Sequence, residues 1–169
     1  MRKVIPLLSG AFLFTAGIIV GLSVEAGVAQ NLSPNKGIVG LNHVCIVVPN
    51  LDEAVNYYTK TLGFPEAFRS KDDKGNVTLV YVQISKNTFI EIQPANPQKP
   101  AGINHFGLVV DNMQAATSMF KDRGAKLEDI RTSPTKAILS NIDAPDGIRI
   151  ELAELTPESA HRKAMDRWK

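Results

Sequence analysis

The stretch Gly40-Leu-Asn-His-Val-Cys-Ile-Val-Val-Pro-Asn50 returns 62 residues later as Gly102-Ile-Asn-His-Phe-Gly-Leu-Val-Val-Asp-Asn112, with six of eleven positions identical. The correspondence continues at Ala54 with Ala116 and Tyr58 with Phe120, and an offset of 60 aligns Phe89-Ile-Glu-Ile92 with Arg149-Ile-Glu-Leu152. A chain that repeats itself must bury two similar apolar units. A period of this length with only two copies does not suit a solenoid, so the repeat predicts one closed domain with pseudo-twofold symmetry.

Each copy opens on a Val/Ile-rich run, residues 42–48 and 104–110, which reads as a buried strand. A helix follows in both. In the first copy Asn50 or Asp52 caps a stripe of Leu51, Ala54, Val55, Tyr58 and Leu62 that Gly63 ends. In the second, Asn112 caps Met113, Ala116, Met119 and Phe120, and Gly124 is the stop. Strands are then expected at 67–71, 77–85 and 88–93, the last two joined as a hairpin at Lys86-Asn87. The second copy repeats this with weak strand character at 126–129, a strand at 136–142 and another at 148–155 after the Asp146-Gly147 turn. Each unit is strand, helix, three strands, an α+β pattern. Module 1 covers 38–93, a Pro-rich extended linker 94–100, module 2 101–155, and the tail 156–169 is a short helix that Thr156-Pro157-Glu158 starts and that runs through Trp168, packed on the sheet exterior.

Ahead of the repeat, Met1-Arg2-Lys3 precedes an uncharged apolar run over 4–24, then small residues at Gly27 and Ala29. This predicts a signal peptide over 1–29 and a periplasmic or secreted protein. The alternative is an uncleaved anchor, because 21 apolar residues can span a bilayer core of about 30 Å. Cys45 is the only cysteine, so no intramolecular disulfide can form and a buried thiol is expected. A formal charge of +2 without a basic run excludes a dedicated nucleic-acid binder. The expected partner is a small molecule, with no membrane contact once the signal is removed.

The duplication also sets out the chemistry. His43 and His105 share one position in the first strand of each unit, and Glu91 and Glu151 share one in the last strand. A carboxylate inside Ile-Glu-Ile or Ile-Glu-Leu lies on a wet face or needs a cation. Two imidazoles and two carboxylates aimed into a shared concavity suit a divalent Zn, Ni, Co, Fe or Mn ion with open positions for substrate, whereas Mg suits two histidines less well. Strand alternation adds Cys45, Gln93 and Arg149 as substrate-pocket residues, with Gly107 on the face of His105. His161, in the polar tail helix, is expected to be solvated.

The motifs Leu41-Asn-His43, Tyr57-Tyr-Thr-Lys-Thr-Leu-Gly63, Glu91, Ile103-Asn-His105 and Asp146-Gly-Ile-Arg-Ile-Glu151 resemble those of the vicinal oxygen chelate superfamily. Its members include glyoxalase I, methylmalonyl-CoA epimerase, extradiol dioxygenases and antibiotic-resistance proteins. The resemblance implies a cupped, barrel-like mixed sheet of paired βαβββ modules with helices outside. It also implies metal ligation by His43, Glu91, His105 and Glu151. A carboxylate at position 91 is similar to glyoxalase I and differs from the extradiol enzymes. That likeness implies a lyase or isomerase in which a metal stabilises an enediolate, with Glu151 as base and Glu91 as ligand and partner base.

Glyoxalase I acts on a glutathione hemithioacetal in the cytoplasm. Here the N-terminus is of export type, and Arg69, Lys136 and Arg149 are scattered along the chain rather than clustered for glutathione or CoA. The expected substrate is a small α-oxygenated carbonyl compound. The alternatives are an iron-dependent extradiol-type dioxygenase and a non-catalytic binding or resistance protein. A homodimer is the expected assembly. Glu91→Gln should weaken metal binding or chemistry, and His161→Ala neither.

Overall fold

The computed structural model describes residues 37–169. The expected signal peptide or anchor falls outside them. Among the described residues no helix is long and apolar enough to cross a membrane.

Module 1 runs β1 (Ile38–Val48), α1 (Leu51–Asn56), a π-helical turn (Tyr57–Thr61), β2 (Glu66–Lys71), β3 (Val77–Ser85) and β4 (Thr88–Pro94). Module 2 runs β5 (Gly102–Val110), α2 (Met113–Asp122), β6 (Arg131–Thr132), β7 (Ile138–Asp143) and β8 (Arg149–Glu154), and α3 (Ala160–Arg167) closes the chain. Both module helices start where an asparagine side chain accepts an otherwise unpaired amide: Asn50 from Glu53 at 3.2 Å and Asn112 from Ala115 at 2.8 Å.

All eight strands form one sheet in the order β2-β3-β4-β1-β5-β8-β7-β6. Within a module the first strand pairs parallel with the last (β1 with β4, β5 with β8), and β1 meets β5 antiparallel at the centre. The order is symmetric about that central pair, as a duplicated unit requires, and the α+β sheet curls into a half-barrel.

The two faces bury different cores. On the outer face of module 2, α2 seats Met113 and Ala116 against Val110, Ile142 and Leu152. On the inner face, Tyr81, Phe89, Val109, Leu139, Ala153 and Leu155 meet Ala164 and Met165 of α3.

Several expectations are corrected. The first helix does not stay α-helical to residue 62 but widens into the π turn after Asn56. Residues 126–129 form no strand: Leu127 makes a single bridge to Ile142, and β6 lies later at Arg131–Thr132. Strand β7 begins at 138 rather than 136, because Lys136 sits in a turn at φ 66°, outside strand geometry. The C-terminal helix is also displaced. It begins only at Ala160, where Ser159 accepts the amide of Arg162 at 3.2 Å, and it packs on the inner face rather than the exterior. Its Ala164 and Met165 are the apolar groups that fill that side of the half-barrel, and Trp168, just beyond its end, is half-buried.

Candidate functional site

Register places the polar inner-face residues in two adjacent cross-strand rows. One is Tyr81-Glu91-Cys45-His105-Arg149, the other Phe89-His43-Gly107-Glu151-Asn141. Residues in one row share a face, so the pairing alone gathers His43, Glu91, His105 and Glu151 from four different strands.

All four are buried, His43 most completely and Glu151 least. His43 Nε2 lies 3.1 Å from His105 Nε2, and both lie 3.3 Å from Glu91 Oε2. Glu151 Oε1 stands further out, 3.7 Å from His43 Nε2. A cation with bonds of about 2.1 Å has ligand-to-ligand edges of about 3.0 Å at right angles and about 3.4 Å at tetrahedral angles. The three inner edges fall within that range.

The donor chemistry points the same way. His43 Nδ1 faces Asn42 Oδ1 at 2.8 Å and His105 Nδ1 faces Asn104 Oδ1 at 2.9 Å. An amide oxygen only accepts, so the Asn42 contact puts the His43 ring proton on Nδ1; His105 Nδ1 stands between the Asn104 oxygen and the donor-only Arg149 guanidinium, and with its proton on Nδ1 both Nε2 lone pairs turn toward the Glu91 carboxylate. Three acceptors converging without a proton repel one another and attract a cation. His43, Glu91 and His105 therefore form a site that could hold a divalent ion.

His43 reaches this point only because position 107 has no side chain: a Cβ there would stand 2.2 Å from His43 Cε1. Burial, reinforced by His105 and Arg149 and opposed by Glu91, brings the His43 pKa down to about 4. That keeps the ring neutral, as a ligand must be.

The two carboxylates are held differently. Burial acts to raise the pKa of Glu91, but contact with His105 and the influence of His43 and Gln93 override it and bring it to about 2. Gln93 Nε2 donates to Glu91 Oε1 at 2.5 Å, and Tyr81 and Cys45 are its cross-strand neighbours. Glu151 is shifted upward by burial and the nearby Glu91 charge, against the pull of His105, Arg131 and Arg149. Arg131 Nη2 lies 3.9 Å from its Oε2.

The expected pocket residues divide. Cys45 is fully buried beneath the site as a neutral thiol, its pKa raised by burial and by Glu91. Gln93 and Arg149 are half-buried at the rim. Arg149 Nη2 lies 3.2 Å from Asn104 Oδ1 and 3.0 Å from His105 Nδ1.

His161 is not solvated. It is buried among Phe68, Tyr81 and Phe89 with its ring centroid 6.3 Å from that of His43, and neither ring nitrogen has a hydrogen-bond partner. The signal was present in the sequence, since His161, Ala164 and Met165 form the buried stripe of α3. The roles of Asn42, Asn104 and Tyr81 also escape sequence reasoning, although the Asn-His pair stands in both repeats.

Residues 42–138 match the family model of the Glyoxalase/Bleomycin resistance protein/Dioxygenase superfamily. The Escherichia coli protein YaeR is 27% identical over 126 residues, covering 70% of this chain and 98% of that protein. The ethylmalonyl-CoA/methylmalonyl-CoA epimerase of Cereibacter sphaeroides is 31% identical over 98 residues, covering 52% of this chain and 72% of the enzyme. A probable chloroplastic lactoylglutathione lyase of Arabidopsis thaliana is 28% identical over 125 residues, 68% of this chain but 35% of that protein. Among solved structures, methylmalonyl-CoA epimerase from Mycobacterium tuberculosis superposes with a TM-score of 0.64 at 21% identity, covering 77% of this chain and 97% of the epimerase. That likeness establishes the fold.

Proposed function

The chain belongs to the Glyoxalase/Bleomycin resistance protein/Dioxygenase superfamily, and on that premise we propose a divalent-metal-dependent lyase or isomerase that moves a proton on the carbon beside a carbonyl of a small substrate. The carrying observation is the unequal pair of carboxylates. Glu91 is held by the Gln93 amide and touches both histidines, whereas Glu151 stands outside that triad with a raised pKa. Two carboxyl groups pushed apart in this way suit different roles.

His43, Glu91 and His105 would hold the ion. A bound divalent cation supplies electrostatic stabilisation of the negative charge that develops on a substrate oxygen. Glu151 takes the proton from carbon and returns it, because its carboxylate is the less constrained of the two. Asn42 and Asn104 hold the imidazoles in the ligating tautomer. We place this activity outside the cytoplasm, in keeping with the export-type N-terminus, and propose a homodimer, which sedimentation would test.

The deciding experiment measures metal content together with deuterium exchange from D2O into the carbon-bound hydrogens of dihydroxyacetone. Glu151→Gln should keep at least half the bound metal and slow exchange 10²- to 10⁴-fold, the range of general-base catalysis. Glu91→Gln should lose the metal. Full exchange by Glu151→Gln, or absence of exchange in the metal-loaded parent, would reject the reading.

A further inference from the structure

The residues around the four donors differ from one side of the site to the other. Around His43, Phe68, Tyr81, Phe89 and His161 pack ring against ring beneath α3. The half-buried polar groups beside the four donors are instead Gln93, Lys99, Asn104 and Arg149. Two of these are cations, from the linker and from β8. Lys99 Nζ donates to Gln93, which donates on to Glu91, while Arg149 stands against His105.

Arg149 is under-satisfied. Its Nε is buried without a hydrogen-bond partner, and no carboxylate stands within ion-pair distance of its guanidinium among the described residues. One of its two Nη2 contacts is also conditional. If His105 keeps its Nε2 lone pair for a cation, its proton is on Nδ1, and Nδ1 then offers Arg149 no acceptor. Arg131, by contrast, already has Glu128 at 3.7 Å and Glu151 at 3.9 Å.

We propose that Arg149, with Lys99, anchors a carboxylate on the substrate, so that the site accepts small α-oxygenated carboxylates in preference to their neutral counterparts. The planar, two-oxygen anion is the geometric counterpart of a guanidinium that has no carboxylate partner in the protein. Anchored beside His105, it holds its neighbouring carbon next to the donors. This specificity rests on the metal-site reading above and narrows its substrate class.

The test uses the zinc-loaded full chain in calorimetric titrations with glycolate, its neutral isostere glycolamide, and methyl phosphate. Glycolate should bind at least tenfold tighter than glycolamide. Arg149→Gln should erase that preference, Arg149→Lys should restore part of it, and Lys99→Gln should reduce it by a smaller factor. Equal binding of the two glycolyl compounds by the parent, an equal loss for both in Arg149→Gln, or tighter binding of methyl phosphate would overturn the anchor. Metal content and dihydroxyacetone exchange, measured on the same parent sample, separate the two ideas. Metal and exchange without charge preference reject the anchor alone, whereas absence of both rejects the metal-site reading.

Discussion

The two modules place their histidines in equivalent strands, yet the residue facing each histidine differs. His43 lies opposite Gly107, and His105 lies opposite Cys45. Positions 45 and 107 are themselves equivalent in the repeat. The glycine lets the His43 ring lie across the neighbouring strand, while the cysteine sets a buried thiol beside Glu91. The carboxylates diverge at the same level: Tyr81 of β3 faces Glu91, whereas its counterpart Asn141 of β7 faces Glu151 and spends its amide on Glu128 at 2.5 Å. Duplication thus supplied four donors, and substitutions beside them made one carboxylate rigid and the other free.

The largest effect is expected where this asymmetry is most crowded. In Gly107→Ala the new Cβ would overlap the His43 ring, at 2.2 Å from Cε1 and 2.5 Å from Nδ1, and the atoms in the way are part of a rigid ring in a buried site. The imidazole has to swing away. Bound metal should fall at least 100-fold in affinity, with a stability loss of about 1–3 kcal/mol from overpacking, read by metal titration and chemical denaturation. Cys45→Ala, the matching change in module 1, should leave the metal within about tenfold, the lower end of what loss of one supporting contact costs. Equal effects from the two variants would mean that the modules are interchangeable at this level.

How much of this was legible from sequence follows the same divide. The repeat carried the succession of strand, helix and three strands in each module, the equivalence of His43 with His105 and of Glu91 with Glu151, and the lone cysteine the burial of its thiol, because period-2 alternation and offsets of 62 and 60 are properties of the chain alone. Features that depend on what lies across a strand pair were hidden. Gly107 reads in sequence as a small residue in a strand, and only the register opposite His43 gives its emptiness a purpose. The tail helix was misplaced for a related reason. His161 belongs to a stretch with four basic residues in the last nine, Arg162, Lys163, Arg167 and Lys169, and the mean polarity masked a narrow apolar stripe of His161, Ala164 and Met165.

A middle-sized effect probes the asparagines, where the modules should behave alike. Asn42→Ala and Asn104→Ala each remove the acceptor that fixes a ligand's ring proton. Each should lower metal affinity 10- to 100-fold, as expected when the outer partner of a metal-bound histidine is lost. Asn104→Ala should also disturb Arg149, which shares its oxygen at 3.2 Å. It should therefore weaken glycolate binding at saturating metal, and Asn42→Ala should not. Calorimetry with zinc and then glycolate reads both, and a glycolate loss in Asn42→Ala as large as in Asn104→Ala would remove the distinction between the two halves.

The smallest effect concerns helix α3, which follows the repeat and belongs to neither module. Helix α3 inserts His161 between the aromatic rings and His43, and burial, with a further contribution from His43, brings its pKa from 6.5 to about 3. Because the folded pKa is below the unfolded one, the unfolded chain binds the extra proton between those values. Stability from this group is complete above about pH 6.5 and declines as the pH falls toward 3. His43 acts with the same sign in the metal-free protein, since its pKa is also lowered, to about 4. His161→Phe keeps an aromatic ring in the box and removes two unpartnered nitrogens. At pH 7 its stability should stay within about 1 kcal/mol of the parent, because relief of the unsatisfied polar atoms offsets the crowding from a larger ring. Between pH 6 and 4 the metal-free variant should lose stability less steeply than the metal-free parent, with the shares of His43 and of Glu91, whose pKa is also lowered, remaining. An unchanged slope in urea unfolding across that range would place His161 in water, with α3 lifted from the inner face and the aromatic side of the site open rather than closed.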